Sequence, residues 1–318
     1  MSHLYIYSPS SAVRDKAAFR RGVARLRALG HEVEIDEAAL ASHQRFAGDD
    51  AERVRAIHRA AASGADVALI SRGGYGLTRI LPDIDYGKLA AAVARGTQFV
   101  GLSDFTALQS ALLATTGAVS WAGPALGEDF GVEGEPDEIM RACFDDLLAG
   151  QGEGAGWRLP VVRRRKSELV TGSVVDATAQ PVDFQALNAR LWGGNLTVLT
   201  SLLGSPWWPD VKAGVLFLED VNEHPFRIER LLTQLLHAGV LAKQKAIVLG
   251  QFNRYQLVPH DRGYSMATVV AWLRSRLDVP VITGLPFGHV PTKVLLPVGA
   301  KVDLAVEGRD ALMVWGHV

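Results

Sequence analysis

Cysteine is nearly absent from this 318-residue chain, in which Cys143 is the only one. A single cysteine excludes an intrachain disulfide and gives no sign of an oxidising compartment. Its place in an apparently helical run, 139–148, favours a buried apolar role over a reactive thiol.

Long apolar runs and an excess of one charge are also missing. No apolar run approaches the roughly 18 residues of a membrane-spanning helix, and the first residues lack the pattern of a signal peptide. The net charge is −1, so no broad field attracts a nucleic acid or a lipid surface. We therefore expect a cytoplasmic protein with no nucleic-acid or membrane partner.

Signals for cofactors are missing as well. The chain contains no H-E-x-x-H, and its histidines are scattered, so we expect no metal. The glycine-rich loop 71–76 matches neither G-x-G-x-x-G nor the P-loop lysine pattern, so we expect no other cofactor. A phosphate cradle, an oxyanion hole and a plain turn all remain open for this loop.

What the chain does contain is a rhythm of short apolar strands and amphipathic helices. Hydrophobic residues make up 48% and charged residues 21%, the balance of a folded globular protein. The alternation in the first half predicts a parallel sheet covered by helices, with function at the carboxyl ends of the strands. The second half mixes strands and helices and ends in short β-like pieces, which predicts a smaller, β-rich α/β domain.

A break in this rhythm sets the expected domain boundaries. Between about 150 and 182 the pattern dissolves into glycine, basic and hydroxyl residues, which favours a linker. We therefore expect an N-terminal α/β domain at 1–149, a linker at 150–182 and a C-terminal domain at 183–318. The basic run 163–166 is interpreted as a solvated connector rather than an anion contact.

Ser103 lies where an apolar strand turns into a helix, in the run Gly101-Leu102-Ser103-Asp104. Such a corner projects a hydroxyl out of the sheet, beside free helix N–H groups that can stabilise negative charge. The nucleophile elbow of serine hydrolases has this geometry, although its second glycine is replaced here by Phe105. On the residues alone, a plain N-cap serine is the competing interpretation.

A nucleophilic serine needs a general base and an acceptor that orients it. His289, in the loop 284–289 after a strand, is the best candidate base, although such a histidine can simply bond backbone. Glu219 ends an apolar strand and is the candidate orienter, with Asp220 and Glu223 close enough to compete.

Five stretches together resemble the LD-carboxypeptidases, the murein tetrapeptide carboxypeptidases of the serine type. They are Ser71-Arg72-Gly73-Gly74-Tyr75-Gly76 with Arg79-Leu81-Pro82, Gly101-Leu102-Ser103-Asp104-Phe105-Thr106-Ala107-Leu108, Gly193-Gly194-Asn195-Leu196, Phe217-Leu218-Glu219-Asp220-Val221-Asn222-Glu223, and Gly284-Leu285-Pro286-Phe287-Gly288-His289. Each is weak alone, but five in this order are a specific signature. The resemblance implies a flavodoxin-like N-terminal domain, a smaller β-rich C-terminal domain and, often, a homodimer.

The resemblance also implies a Ser-His-Glu triad, with Ser103 as nucleophile, His289 as general base and Glu219 as its orienter. It implies an oxyanion hole, which we map to the N–H groups of Gly74 and Asp104. The implied reaction removes the terminal D-alanine from a muropeptide during cell-wall recycling.

Several points of the resemblance stay open. Arg72 is our candidate for binding the substrate carboxylate. Leu102 and the pair 121–122 depart from residues common in the family, which bears on the pocket more than on the triad. A microcin-immunity peptidase, which cleaves an aminoacyl-nucleotide-like toxin, is the close alternative. The pair Trp207-Trp208 would favour it by stacking on a base, although packing is the simpler interpretation. A non-catalytic binding protein is the alternative from a different class.

Overall fold

The computed structural model describes residues 1–160 and 183–317, so most of the expected linker and the basic run 163–166 lie outside the described residues. Within that part of the chain the elements are, in order, β1 (His3–Tyr7), α1 (Lys16–Ala28), β2 (Glu32–Ile35), α2 (Asp50–Ala62), β3 (Val67–Ile70), α3 (Tyr86–Ala94), β4 (Gln98–Gly101), α4 (Thr106–Thr116), β5 (Ser120–Ala122), α5 (Glu138–Ala149), β6 (Gly154–Arg158), β7 (Phe184–Asn195), α6 (Leu196–Ser201), β8 (Val215–Val221), α7 (Pro225–His237), β9 (Ala246–Asn253), α8 (Met266–Arg274), β10 (Val281–Thr283), β11 (Leu296–Val298), β12 (Lys301–Glu307) and β13 (Asp310–Val314).

The first sheet has the strand order β2-β1-β3-β4-β5, and these strands are all parallel. This is the flavodoxin-like doubly wound order, so the α/β class and its topology agree with the expectation. The order reverses between β1 and β3. The loops that follow these two strands, together with the corner after β4, therefore lie at the edge where such sheets bind ligands.

Local signals explain where the helices of this layer begin and end. The side chain of Asp15 accepts hydrogen bonds from two N–H groups of the first turn of α1, as a capping aspartate does. Gly117 ends α4 in the left-handed conformation, at φ 73°, where glycine avoids the strain of a side chain. The helix faces toward the sheet are apolar and buried.

The second sheet has the order β10-β9-β8-β7-β12-β13-β6. Strands β7 to β10 pair in parallel, whereas β12, β13 and β6 continue the sheet antiparallel. This mixed sheet agrees with the expected β-rich α/β half. The first residues of the expected linker are part of this sheet, because Gly154–Arg158 pairs with β13 as its edge strand.

After His289 the chain returns from the second sheet to the first. Strand β11, which the sequence division assigned to the C-terminal domain, pairs antiparallel with β5 and completes the first sheet as its sixth strand. A strand of one domain thus belongs to the sheet of the other, and one apolar core cluster contains residues of both. In the described part of the chain, no helix is both long and apolar enough to span a bilayer.

Candidate active site

Ser103 sits at a strained corner between β4 and α4. Its φ is +66°, in the left-handed region that a non-glycine residue enters at a cost of about 1–3 kcal/mol. Leu102 occupies the capping position of the 3₁₀ turn Ser103–Phe105, and no side chain caps that turn. The plain N-cap interpretation of Ser103 is therefore wrong. A strained serine at a strand-to-helix corner is the geometry of a nucleophile elbow.

Gly101 and Phe105 explain how this corner forms without a second glycine. A Cβ on Gly101 would lie 2.7 Å from Ile70 Cδ1 and 2.8 Å from the Phe105 ring. Phe105 is buried and fills the space that the missing side chain of Gly101 leaves. Close packing of the corner is thus achieved by one glycine and one aromatic ring.

The glycine-rich loop after β3 lies directly against the serine. A Cβ on Gly73 would come within 2.7 Å of Ser103 Cβ and 2.9 Å of its Oγ, so only glycine fits there. Gly74 follows at φ +88° and lies against Ser11. Gly73 lies in one of the matching stretches, but the sequence analysis gave a role only to Gly74. The contact of Gly73 with the serine joins two segments about 30 residues apart in sequence.

The Asp104 side chain fastens this loop rather than facing a substrate. Its Oδ2 accepts hydrogen bonds from Ser10 Oγ at 2.9 Å and from the Leu77 N–H at 2.8 Å. Burial raises the pKa of this carboxyl to about 6, against the lowering effect of those hydrogen bonds. The Asp104 N–H belongs to the first N–H groups of the turn, which have no partner inside it.

Glu219 and His289, which are 70 residues apart, form a buried pair. His289 Nδ1 lies 2.8 Å from Glu219 Oε2, and the two residues are 9% and 0% exposed. Because a carboxylate only accepts, Nδ1 carries the proton and leaves Nε2 free to take one. Gly288 makes this approach possible: its φ is +136°, and a Cβ there would lie 3.1 Å from Glu219 Oε2.

The charge of Glu219 controls the protonation of the imidazole. Burial by itself lowers the pKa of His289, but the hydrogen bond and the charge of Glu219 outweigh it. The pKa of His289 therefore lies above its usual value, and Glu128 adds to this while Lys293 opposes it. The imidazole of His289 thus binds a proton more readily than that of an ordinary histidine.

Asn195, to which the sequence analysis gave no role, connects the serine corner to this pair. Its Nδ2 donates to Glu219 Oε1 and to Asp220 Oδ1, both at 3.1 Å. Its backbone N–H donates to Thr106 Oγ1 at 3.0 Å, in the first turn of α4. The run 193–195 is among the matching stretches. In sequence, however, an asparagine that also binds a carboxylate cannot be distinguished from one that only caps a helix. Asn195 does both, since its Oδ1 also accepts from the Val198 N–H.

The competing acidic residues have other partners. Asp220 Oδ2 accepts from the N–H of Thr197 at 2.9 Å and from its hydroxyl at 2.7 Å. Glu223 lies 3.7 Å from Arg227, one turn further along the chain. Of the three carboxylates, Glu219 is the one that contacts the imidazole.

The structure does not place all three predicted triad residues in hydrogen-bond contact. Within residues 1–160 and 183–317, neither Ser103 Oγ nor His289 Nε2 has a hydrogen-bond partner, so the Ser103–His289 bond is not formed here. Such bonds are often long without substrate and tighten when it binds.

Arg72 lies half-buried in the same loop as the glycines. Its Nη1 donates to the Ala12 carbonyl at 3.0 Å. Burial lowers the pKa of Arg72, and the charge of Glu128 raises it.

The tryptophan pair 207–208 belongs to the core instead of a base-stacking site. Trp208 packs edge-on against the buried Trp192 ring, with the ring centroids 5.4 Å apart, so it serves the core of the second domain.

Family models match both halves of this chain. The model of the LD-carboxypeptidase N-terminal domain matches residues 4–123, and that of the LD-carboxypeptidase C-terminal domain matches residues 188–304. A Synechocystis sp. protein named as a carboxypeptidase is 31% identical over 95% of this chain and 90% of its own length. The chain belongs to the LD-carboxypeptidase family. It is accordingly a serine-type hydrolase of the carboxypeptidase class.

Two further relatives bear on the substrate. The crystal structure of muramoyltetrapeptide carboxypeptidase from Oxalobacter formigenes superposes with a TM-score of 0.84 at 38% identity, covering 99% of both chains. The microcin C7 self-immunity protein MccF of Escherichia coli is 26% identical over 95% of this chain and 90% of its own length.

Proposed function

We propose that this LD-carboxypeptidase family member removes the terminal D-alanine from murein tetrapeptides in cell-wall recycling. The observation that carries the proposal is the buried hydrogen bond between His289 and Glu219, tied through Asn195 to the helix that follows Ser103. The similarity to the muramoyltetrapeptide carboxypeptidase supports this choice of substrate.

In the proposed reaction, Ser103 Oγ attacks the carbonyl carbon at the L-centre of the diamino acid. His289 Nε2 takes the hydroxyl proton as the new C–O bond forms, and Glu219 stabilises the resulting imidazolium. The N–H groups of Gly74 and Asp104 stabilise the oxyanion of the tetrahedral intermediate. His289 then gives its proton to the leaving amine of D-alanine, and water releases the acyl group by the same route in reverse.

Arg72 is proposed to bind the terminal carboxylate of the substrate. Its guanidinium presents several N–H donors, and a single one is used by the Ala12 carbonyl among the described residues. A carboxylate is the anion that such a fork pairs with best.

The deciding experiment uses purified muropeptides and mass spectrometry. We expect tetrapeptides to lose one D-alanine while pentapeptides are untouched. Ser103→Ala should reduce the rate by a factor on the order of 10⁴ to 10⁶ if the three residues act as a unit. The proposal is rejected if tetrapeptides stay intact. It is also rejected if Ser103→Ala keeps more than a few per cent of the wild-type rate.

The second candidate is an immunity-type peptidase that cleaves an aminoacyl-nucleotide-like toxin. It is favoured by the 26% identity with MccF. The feature that could have served it, the tryptophan pair, is instead packed against the core through Trp208. Incubation with an aminoacyl sulfamoyl adenosine distinguishes the two, because only the second candidate predicts that this compound is cleaved faster than a tetrapeptide.

A further inference from the structure

The segment 290–295 is the bridge by which His289 reaches the first domain. Before it, His289 is bonded to Glu219 of the second sheet. After it, β11 pairs with β5 in the first sheet, and β5 is the neighbour of β4, the strand that precedes Ser103. The position of the imidazole relative to Ser103 therefore depends on how this short segment is held.

Two polar contacts hold the bridge to the first domain. Lys293 Nζ lies 2.6 Å from Asp129 Oδ1, and Thr292 Oγ1 donates to Asp137 Oδ2 at 2.5 Å. Their partners lie more than 150 residues away in sequence. The two contacts tie the same segment to two places in the first domain, the turn Leu126–Phe130 and the N-terminus of α5.

The ion pair between Lys293 and Asp129 is fully enclosed. The side chains are 2% and 3% exposed, and the second oxygen of Asp129 accepts from the Ala125 N–H at 2.8 Å. Burial raises the pKa of the Asp129 carboxyl against the lowering effect of Lys293. Enclosing two charges in this way is costly, and an apolar pair of similar volume is often as stable or more so. Stability alone thus gives no reason for a lysine at this place.

The pair also lies close to the groups that set the charge of the site. The positive charge of Lys293 reaches the His289 ring, where it opposes the effects of Glu219 and Glu128. Glu128 precedes Asp129 in the helical turn Leu126–Phe130 and is exposed. The charged groups acting on His289 are therefore Glu219 from β8, Glu128 from this turn and Lys293 from the bridge.

We propose that the Lys293–Asp129 ion pair is a positioning device that fixes the bridge and thereby presents His289 to Ser103. The proposal rests on the proposed function, in which His289 is the general base. Neither charge touches the substrate, so both residues act through the imidazole. An ion pair is directional, and it sets the register of the bridge in a way that interchangeable apolar contacts do not.

The test compares Lys293→Met with the double variant Lys293→Met/Asp129→Leu. The single variant leaves a buried carboxylate without its cation, so it should lose both thermal stability and rate. The double variant replaces both charges by apolar groups and should be more stable than the single variant, although the Ala125 N–H loses its acceptor. Its kcat should nevertheless stay roughly 100-fold low, the loss typical of a misplaced catalytic group, with a smaller change in KM.

A matched control is Lys245→Met. This lysine donates to the backbone carbonyl of Leu187 rather than to a carboxylate, is exposed, and precedes β9 at the end of the sheet away from His289. Its kcat should equal that of the wild type. A double variant that recovers both stability and kcat would overturn the proposal, because the pair would then serve only the core.

A measurement without substrate separates this proposal from the proposed function. The His289 imidazole is titrated by NMR in the wild type and in Lys293→Met, which removes the cation alone. Loss of the Lys293 cation should move the pKa of His289 upward, and the acid limb of the kcat/KM profile should move in the same direction. An unchanged titration rejects the inference even if D-alanine is released. A shifted titration in a protein that releases no D-alanine from tetrapeptides rejects only the proposed function.

Discussion

The backbone N–H of Asn195 donates a hydrogen bond to the side-chain oxygen of Thr106, which joins the end of β7 to the first turn of α4. On one side this bond leads to Ser103, three residues before Thr106. On the other it leads through the Asn195 amide to Glu219 and so to His289. The first turn of α4, which follows the serine corner, is thus linked to the imidazole by three buried hydrogen bonds.

Thr106→Val should break this chain with little change in volume. It leaves the Asn195 N–H buried without an acceptor, which costs about 1–3 kcal/mol in unfolding free energy. We expect kcat to fall roughly 10-fold or more, as a misplaced group does. The control is Thr115→Val in the same helix, where the hydroxyl is exposed and bonds only carbonyls of its own helix. Equal kcat losses in both variants would contradict the role of the bond.

Two substitutions of Ser103 should both abolish activity but differ in stability. Both Ser103→Ala and Ser103→Gly remove the hydroxyl and should abolish turnover. At φ +66° a Cβ is strained and glycine is not, so Ser103→Gly should unfold with a free energy about 1 kcal/mol higher than Ser103→Ala. Denaturant unfolding of the two variants measures this difference. Equal stabilities would mean that the corner relaxes when the chain is in solution.

Glu219→Gln should lower both the rate and the pKa of the base. The amide cannot stabilise the imidazolium, so we expect kcat to fall by roughly 10² to 10⁴, as in other triads whose acid is neutralised. Burial of His289 then acts without the opposing charge, and its pKa falls. The acid limb of the kcat/KM profile should therefore move to lower pH. A limb that stays in place would show that another group titrates there.

Gly73→Ala tests the contact between the glycine loop and the serine. The new Cβ would lie 2.7 Å from Ser103 Cβ, so the serine or the loop must move. We expect kcat/KM to fall by roughly 100-fold. Gly134→Ala is the matched control, since a Cβ there meets nothing within 4 Å. If both variants retain the wild-type kcat/KM, the loop adapts without moving the serine.

Asp104 should give stability a distinct pH dependence. Its folded pKa is about 6, above the ordinary value of 3.8, so the folded state holds a proton that the unfolded state has lost. This contribution to stability is fully present below about pH 4 and is lost as the pH rises through about 6. Asp104→Asn lacks it, so the stability of this variant relative to wild type should increase from about pH 4 to about pH 6. Urea unfolding of both proteins at several pH values checks the sign.

The sequence by itself determined the parts of this protein that depend on local pattern. The apolar run before Ser103 and the helical periodicity after it predict a strand-to-helix corner. The alternation of strands and helices in the first half predicts the parallel sheet. The order of the five stretches was specific enough to indicate the family. The signals for strands and helices each lie within about a dozen neighbouring residues, because their periods are short. The family signal adds the order of five short stretches along the chain.

Only the tertiary structure decided which distant residues meet. Asn195 reads equally well as a helix cap, Gly73 as a plain turn residue and Lys293 as a surface cation. Gly73 meets Ser103 because β3 and β4 are neighbours in the first sheet, and Asn195 meets Glu219 because β7 and β8 are neighbours in the second. Lys293 meets Asp129 because β11 crosses to the first sheet. Such contacts depend on which strands pair and how the layers pack, since a polar side chain has the same local sequence whether it caps, bridges or faces water.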